Sequence, residues 1–310
     1  MESNANPQGG QNKYSIPLGA RGGGLSYSAA VVINLVLGIF ASILIVAFSL
    51  NGTEAATYLS LITSPIAIAV VLTLALTVAK QPVKSLLPVK CQPKYFLIAV
   101  LIVFGALFSL SWVNEYVIRL FELMGYTRSG GINIDVSGWK IVPALIVVAV
   151  IPAFMEEILF RGIILNNAEG DVGSINAIFI TGLCFSLYHG SVEQTLYQFI
   201  IGCLFGFIAV RSRSIAPTVL IHFINNALII ILQACGLYDA SGQLIISAGG
   251  EIALYVISGA SLIGGIVWLI LDKTQLKPVQ KRGVGTFFLW AVVGIAVMAV
   301  FWIVGLFTVQ

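Results

Sequence analysis

"PAFMEEILFR", Pro152–Arg161, lies inside an apolar run that extends from about residue 139 to 166. A helix rises about 1.5 Å per residue, so this run is long enough to cross the ~30 Å hydrocarbon core of a bilayer. Glu156, Glu157 and Arg161 interrupt it. A charge at bilayer depth costs about 2.5–3.5 kcal/mol on insertion scales, and such groups face a protein interior or a wet cavity. The stretch therefore predicts a bundle of membrane-spanning helices with a polar cavity inside it.

Composition supports the membrane reading. Of 310 residues, 58% are hydrophobic and 9% charged, against about 25% charged in an average soluble domain. Mean hydropathy is +1.00. The net charge of +3 is small and its basic residues gather near helix ends, which argues against a nucleic-acid partner. The four cysteines, Cys91, Cys184, Cys203 and Cys235, form no CxxC pair. Cys184, Cys203 and Cys235 stand in apolar runs, where cysteine acts as a small hydrophobe.

Working outward, nine apolar segments qualify as spans: about 27–50, 56–79, 95–115, 139–166, 174–190, 194–211, 215–235, 251–271 and 285–308. The fold class expected is an all-α polytopic membrane protein of about eight to nine helices. Its regions divide into a disordered, cytoplasmic, glycine-rich tail (1–26), a first transmembrane region (27–138), a helical core (139–236) and C-terminal helices (237–310). "NEYVIRLFELMGY" reads as an amphipathic interfacial helix. With the N-terminus inside, 12 of the 16 Lys and Arg fall on the cytoplasmic side and three outside, with Arg161 in the membrane. That bias follows the positive-inside rule. No duplicated halves of the kind found in transporters are evident.

Three polar clusters fall in spans: Glu156, Glu157 and Arg161; "FSLYH", Phe185–His189; and "HFINN", His222–Asn226. His189 and His222 are the chain's two histidines. Glu157 and Arg161 are four apart and can pair on one helix face, while Glu156 points about 100° away. Phe185 and His189 share a face, as do His222 and Asn226. Glu156 and His189 are placed symmetrically about the expected turn at 168–173, so antiparallel helices bring them level. His222 fits less well: it lies ~12 Å above its own turn, against ~20 Å for Glu156, unless the 168–173 hairpin protrudes. Glu193, Gln194 and Gln198 are further polar candidates, although that segment reads more readily as an ordinary helix start. "GCLFG", Gly202–Gly206, reads as close helix packing.

These groups suit hydrolysis of a peptide bond. A desolvated Glu156 can take a proton from water and later give it to the leaving amine. His189 can help hold the water, and His222 with Asn226 can stabilise an oxyanion. Arg161 keeps Glu157 ionised. The competing chemistry is zinc held by Glu156, His189 and His222, but the sequence has no HExxH and Asn226 is a poor zinc ligand, so metal-free activation by Glu156 is favoured.

"EEILFR", "FSLYH" and "HFINN" together resemble the EExxxR, FxxxH and HxxxN motifs of the CPBP family, also known as the ABI or CAAX-protease-like family. The resemblance covers about 140–235. It implies a helical bundle around a cytosol-facing cavity, with Glu156 and His189 positioning the water and His222 and Asn226 forming the oxyanion site. Glu157, Arg161 and Phe185 would support them. Members are linked to CAAX processing, peptide processing and bacteriocin self-immunity. The resemblance thus implies a multi-pass protease of a bacterial plasma membrane, acting on a membrane-associated peptide or lipidated protein. A proton-coupled transporter using the two glutamates, or a non-catalytic scaffold, are the alternatives from other classes. Phe185 by itself reads mainly as packing, and Asn225 as a cap or interhelical bond.

Overall fold

A computed structural model describes residues 18–127, 134–237, 244–279 and 281–307, apart from the side chains of 281 and 282. The described elements are helical, with no strand among them. Among the described residues, eight helices are long and apolar enough to cross a membrane, so the protein is an integral multi-pass membrane protein. The fifth expected span, about 174–190, is represented by α10 (Ser174–Tyr188), which has 15 residues and is about 22 Å long.

Helix α1 (Gly19–Ala47) starts well inside the stretch expected to be a tail; residues 1–17 of that stretch lie outside those described. Glycines at the end of the expected tail serve packing instead. Gly24 faces the Phe287 carbonyl of α14 (Lys281–Phe307) so closely that a Cβ would collide with it. Ser28 Oγ donates to the Trp290 carbonyl at 2.8 Å, and the Gly294 amide donates back to Ser28 Oγ at 3.1 Å. Small residues permit such backbone approach in membrane bundles, where apolar lipid supplies no hydrophobic drive between helices.

Helices α2 (Glu54–Leu61) and α3 (Thr63–Thr77) form the second span, and α4 (Val83–Leu86) is a single turn. The third span is α5 (Lys94–Ser109) followed by α6 (Ser111–Glu122). α6 covers much of the stretch expected to be an interfacial helix; Trp112, Tyr116 and Leu120 are exposed on it while Ile118 is buried, so apolar side chains lie on both its outer and inner faces. α7 (Ile141–Ala144), α8 (Ile151–Glu157) and α9 (Asn166–Val172) make one long rod, joined by π-helical stretches at Leu145–Val150 and Ile158–Leu165. Its fellows are α10, α11 (Thr195–Ser212), α12 (Ala216–Ala234) and α13 (Ala248–Leu271).

A charged clamp sets the heights of the central helices. The buried Glu169 carboxylate of α9 receives Arg213 Nη1 at 2.8 Å, Ser174 Oγ at 2.6 Å and Lys277 Nζ at 2.7 Å. This one carboxylate ties the α9–α10 turn to the α11–α12 turn and to the segment after α13. Beside it, Arg211 Nη1 donates to the Asp272 and Thr274 carbonyls. Burial would raise the Asp272 carboxyl, but hydrogen bonds from Lys94, Thr274 and Tyr95 outweigh it and hold the group well below the usual carboxylate range.

Candidate active site

Successive residues on α8 point about 100° apart, which separates the two glutamates. Glu157 turns into the bundle and is fully buried; Glu156 faces a cavity and its side chain is 14% exposed. Glu157 Oε1 accepts from Arg161 Nη1 at 2.7 Å, the pair expected four residues on. The same oxygen accepts from His222 Nδ1 at 2.9 Å. Sequence reasoning missed this second contact. Its one available signal is that a carboxylate oxygen offers more than one lone pair, so a single Arg donor leaves it room for another partner.

Arg161 completes its fork with Nη2, which donates to the Gly202 carbonyl of α11 at 3.0 Å. Its guanidinium carbon stands 4.7 Å from the Phe185 ring centroid and 5.3 Å from that of Phe205. A planar, weakly hydrated cation is suited to aromatic walls. Phe185 does more than fill space. Its ring centroid is 4.5 Å from that of His189 and 6.0 Å from that of His222, so one buried ring braces the arginine and both histidines.

Gly202 lends Arg161 a carbonyl that any residue could supply, but only glycine fits, because a Cβ there would lie 2.9 Å from Gly182 Cα on α10. Gly206, the other half of "GCLFG", would place a Cβ at an ordinary 3.5 Å from Ile178 Cα. Gly202→Ala should therefore lower stability by about 1–3 kcal/mol through overpacking. Gly206→Ala should be neutral or stabilising by up to ~1 kcal/mol, since Ala is the better helix former. Thermal midpoints of the two purified variants in one detergent check the contrast.

His189 owes its position to the way α10 ends. Gly190 takes φ +62°, a left-handed stop that glycine adopts without a Cβ penalty. The His189 amide then donates to the Ser186 carbonyl, releasing that of Phe185. The imidazole claims the released carbonyl through Nδ1 at 2.8 Å. A carbonyl can only accept, so Nδ1 carries the proton and Nε2 of the neutral ring presents a lone pair. His222 follows the same logic, because its Nδ1 faces the ionised Glu157.

The two Nε2 atoms converge on Glu156 Oε2, at 3.7 Å from His189 and 3.9 Å from His222. His222 thus reaches the level of Glu156, and the height mismatch weighed in the sequence is not found. Glu156 Oε2 is buried without a hydrogen-bond partner among the described residues. Three acceptors facing one point call for a donor between them, a water or a cation.

Asn226 joins by a different route. Pro152 has no N–H, so the Val148 carbonyl, four residues earlier, lacks its α-helical donor. Asn226 Nδ2 donates to that carbonyl at 3.1 Å, and its Oδ1 accepts from Asn225 Nδ2 at 3.1 Å. One Nδ2 hydrogen of Asn226 is left for the cavity. The cavity measures about 50 Å³ and is lined by Glu156, Phe185, His189, His222, Asn225 and Asn226, with Gln198, Ile201 and Phe205 closing it from α11. A water needs about 10–15 Å³ by this measure, so several fit. Among the other sequence candidates, Gln198 lines the cavity and its Nε2 donates to Gln194 Oε1 at 3.2 Å, while Glu193 accepts from Tyr126 Oη at 2.9 Å. No set of three His, Cys, Asp or Glu meets metal-site geometry among the described residues.

Residues 138–228 match the family model of type II CAAX prenyl endopeptidase Rce1-like proteins. The chain is similar to the membrane-embedded CAAX protease MroQ of Staphylococcus aureus (strain USA300), with 25% identity over 187 residues, 58% of this chain and 75% of that protein. It is also similar to YdiL of Bacillus subtilis (strain 168), described as a candidate membrane peptidase, with 27% identity over 93 residues, 30% of this chain and 38% of that protein. No solved structure matches the chain.

Proposed function

Taking residues 138–228 as a member of the Rce1-like, type II CAAX prenyl endopeptidase family, we propose that this protein is an intramembrane endopeptidase in which Glu156 activates the attacking water. The observation that carries the reading is the convergence of Glu156 Oε2, His189 Nε2 and His222 Nε2 within 3.9 Å on one cavity. A water there donates to two of the three acceptors while its oxygen remains free to attack.

The chemistry runs in three steps. The water oxygen bonds to the carbonyl carbon of the peptide as its proton passes to Glu156. The carbonyl oxygen, now an oxyanion, receives the free Nδ2 hydrogen of Asn226, while His222 Nε2, an acceptor, stays with the water and Glu156. Glu156 then hands its proton to the leaving nitrogen, the C–N bond breaks, and an acid and an amine separate. Arg161 and Phe185 hold Glu157 and the rings in place, and Glu157 anchors His222. The substrate in this reading is a membrane-associated peptide or lipidated protein, of the CAAX, leader, pheromone or bacteriocin type. The N-terminus lies in the cytoplasm of a bacterial cell, in keeping with the Lys and Arg bias.

A second reading rests on the same atoms. Two imidazole nitrogens and a carboxylate oxygen are zinc ligands by type, and each ring's other nitrogen donates to an acceptor, as in zinc-bound histidines. Their spacings of 3.7 and 3.9 Å exceed the ~3.4 Å edge of a tetrahedral zinc shell. Zinc held by Glu156, His189 and His222 would polarise a carbonyl or acidify a water.

Peptides in membranes of cells with and without the protein identify what it cuts; if the two profiles coincide, the endopeptidase reading fails. Chelation of the purified protein, followed by elemental analysis, separates the two chemistries. Activity that survives chelation without bound zinc is expected. Activity lost on chelation and restored by zinc would move the assignment to the second reading.

A further inference from the structure

The hydrolytic reading gives tasks to Glu156, His189, His222 and Asn226 and leaves two polar neighbours in the cavity without any: Gln198, which donates to Gln194, and Asn225. The orientation of Asn225 is dictated from a distance. The Val148 carbonyl can only accept, so Asn226 must turn Nδ2 toward it. Asn226 must then turn Oδ1 toward Asn225, which has to answer with Nδ2. The remaining atom of Asn225 is Oδ1, an acceptor. It is buried, on a residue that lines the cavity, and has no hydrogen-bond partner among the described residues.

An amide oxygen in that state is costly until a donor arrives. A bound peptide brings one, because every peptide C=O has a backbone N–H close by along the chain, proline excepted. Asn226 presents a donor and Asn225 an acceptor, side by side on α12. That pairing complements a peptide carbonyl and a neighbouring N–H. We infer that Asn225 Oδ1 accepts a backbone N–H of the substrate near the bond to be cut. The site therefore reads the peptide backbone and disfavours proline or an N-alkylated residue at that one position. This inference rests on the endopeptidase reading.

The test uses a synthetic copy of a membrane peptide whose processing in cells requires this protein. Each amide flanking the cut, but not the scissile one, is replaced in turn by an ester, which removes a single N–H and keeps the shape. With the purified full-length protein, one replacement should lower kcat/KM about tenfold, chiefly through KM, since a hydrogen bond lost to a buried acceptor is worth about that factor. In Asn225→Ala the same replacement should change kcat/KM less than about twofold. Should the alanine variant fail to accumulate, Asn225→Leu, of similar size, serves in its place. If every ester acts equally on wild type and variant, the inference is overturned while the endopeptidase reading stands. If the wild-type protein cuts none of the peptides, the endopeptidase reading falls and takes the inference with it.

Discussion

Glu156→Gln should abolish detectable cleavage while leaving insertion and thermal stability nearly unchanged. The substitution keeps the side chain's size and replaces one oxygen with an amide nitrogen. A carboxamide cannot take a proton from water at neutral pH, and general acid–base assistance contributes about 10²–10⁴-fold to rate. His189→Ala should cost a similar factor by a different route. It removes an Nε2 lone pair 3.7 Å from Glu156 Oε2 and also strips the Phe185 carbonyl of its ring donor. The Gln variant is the cleaner test, because its surroundings lose no hydrogen bond to Glu156 Oε2 that the described residues make. Single-turnover cleavage by both purified variants checks the expectation, and wild-type rates in both would remove Glu156 and His189 from the chemistry.

The second large effect belongs to Arg161. Arg161→Ala should lower stability by about 3–5 kcal/mol, the usual result of stripping a buried ion pair of one partner. The loss reaches three elements at once. Glu157 is left buried with His222 as its remaining donor, the Gly202 carbonyl loses Nη2, and the space between Phe185 and Phe205 empties. Arg161→Lys should recover part of this. An ammonium restores the charge but cannot span Glu157 and Gly202 as a rigid fork does. Replacing both members of the pair with apolar residues, Glu157→Leu with Arg161→Met, should cost less stability than Arg161→Ala alone, because no charge is stranded. The double variant should nonetheless be inactive, since His222 has lost its anchor. Unfolding midpoints and cleavage rates of the three proteins together test the argument.

Much of this was legible in the sequence because membrane helices leave few choices. Hydropathy located the spans and the 3.6-residue repeat grouped Glu157 with Arg161, Phe185 with His189 and His222 with Asn226. The resemblance to CAAX-protease-like proteins through three short motifs matches the family found over 138–228. Contacts between helices far apart in the chain were not legible. Nothing along the sequence ties His222 to Glu157, or Arg161 to the carbonyl of Gly202. The start of α1 was hidden for a related reason. Glycine suggests an unstructured tail when read locally, whereas Gly24 is dictated by the backbone of Phe287, more than 260 residues away. The tautomers of both histidines also escaped, since they depend on a helix end and on a carboxylate from another span.

Proline at 152 has an influence beyond its own helix. Pro152 gives the carbonyl at 148 no α-helical donor, and the Asn226 amide of a neighbouring helix bonds its oxygen. That single contact keys one rod to the other in both rotation and height. Sliding α12 by one turn, about 5.4 Å, would break that bond and carry an imidazole away from its carboxylate in the same movement. A gap in one helical ladder thus acts as a register pin for the adjoining helix.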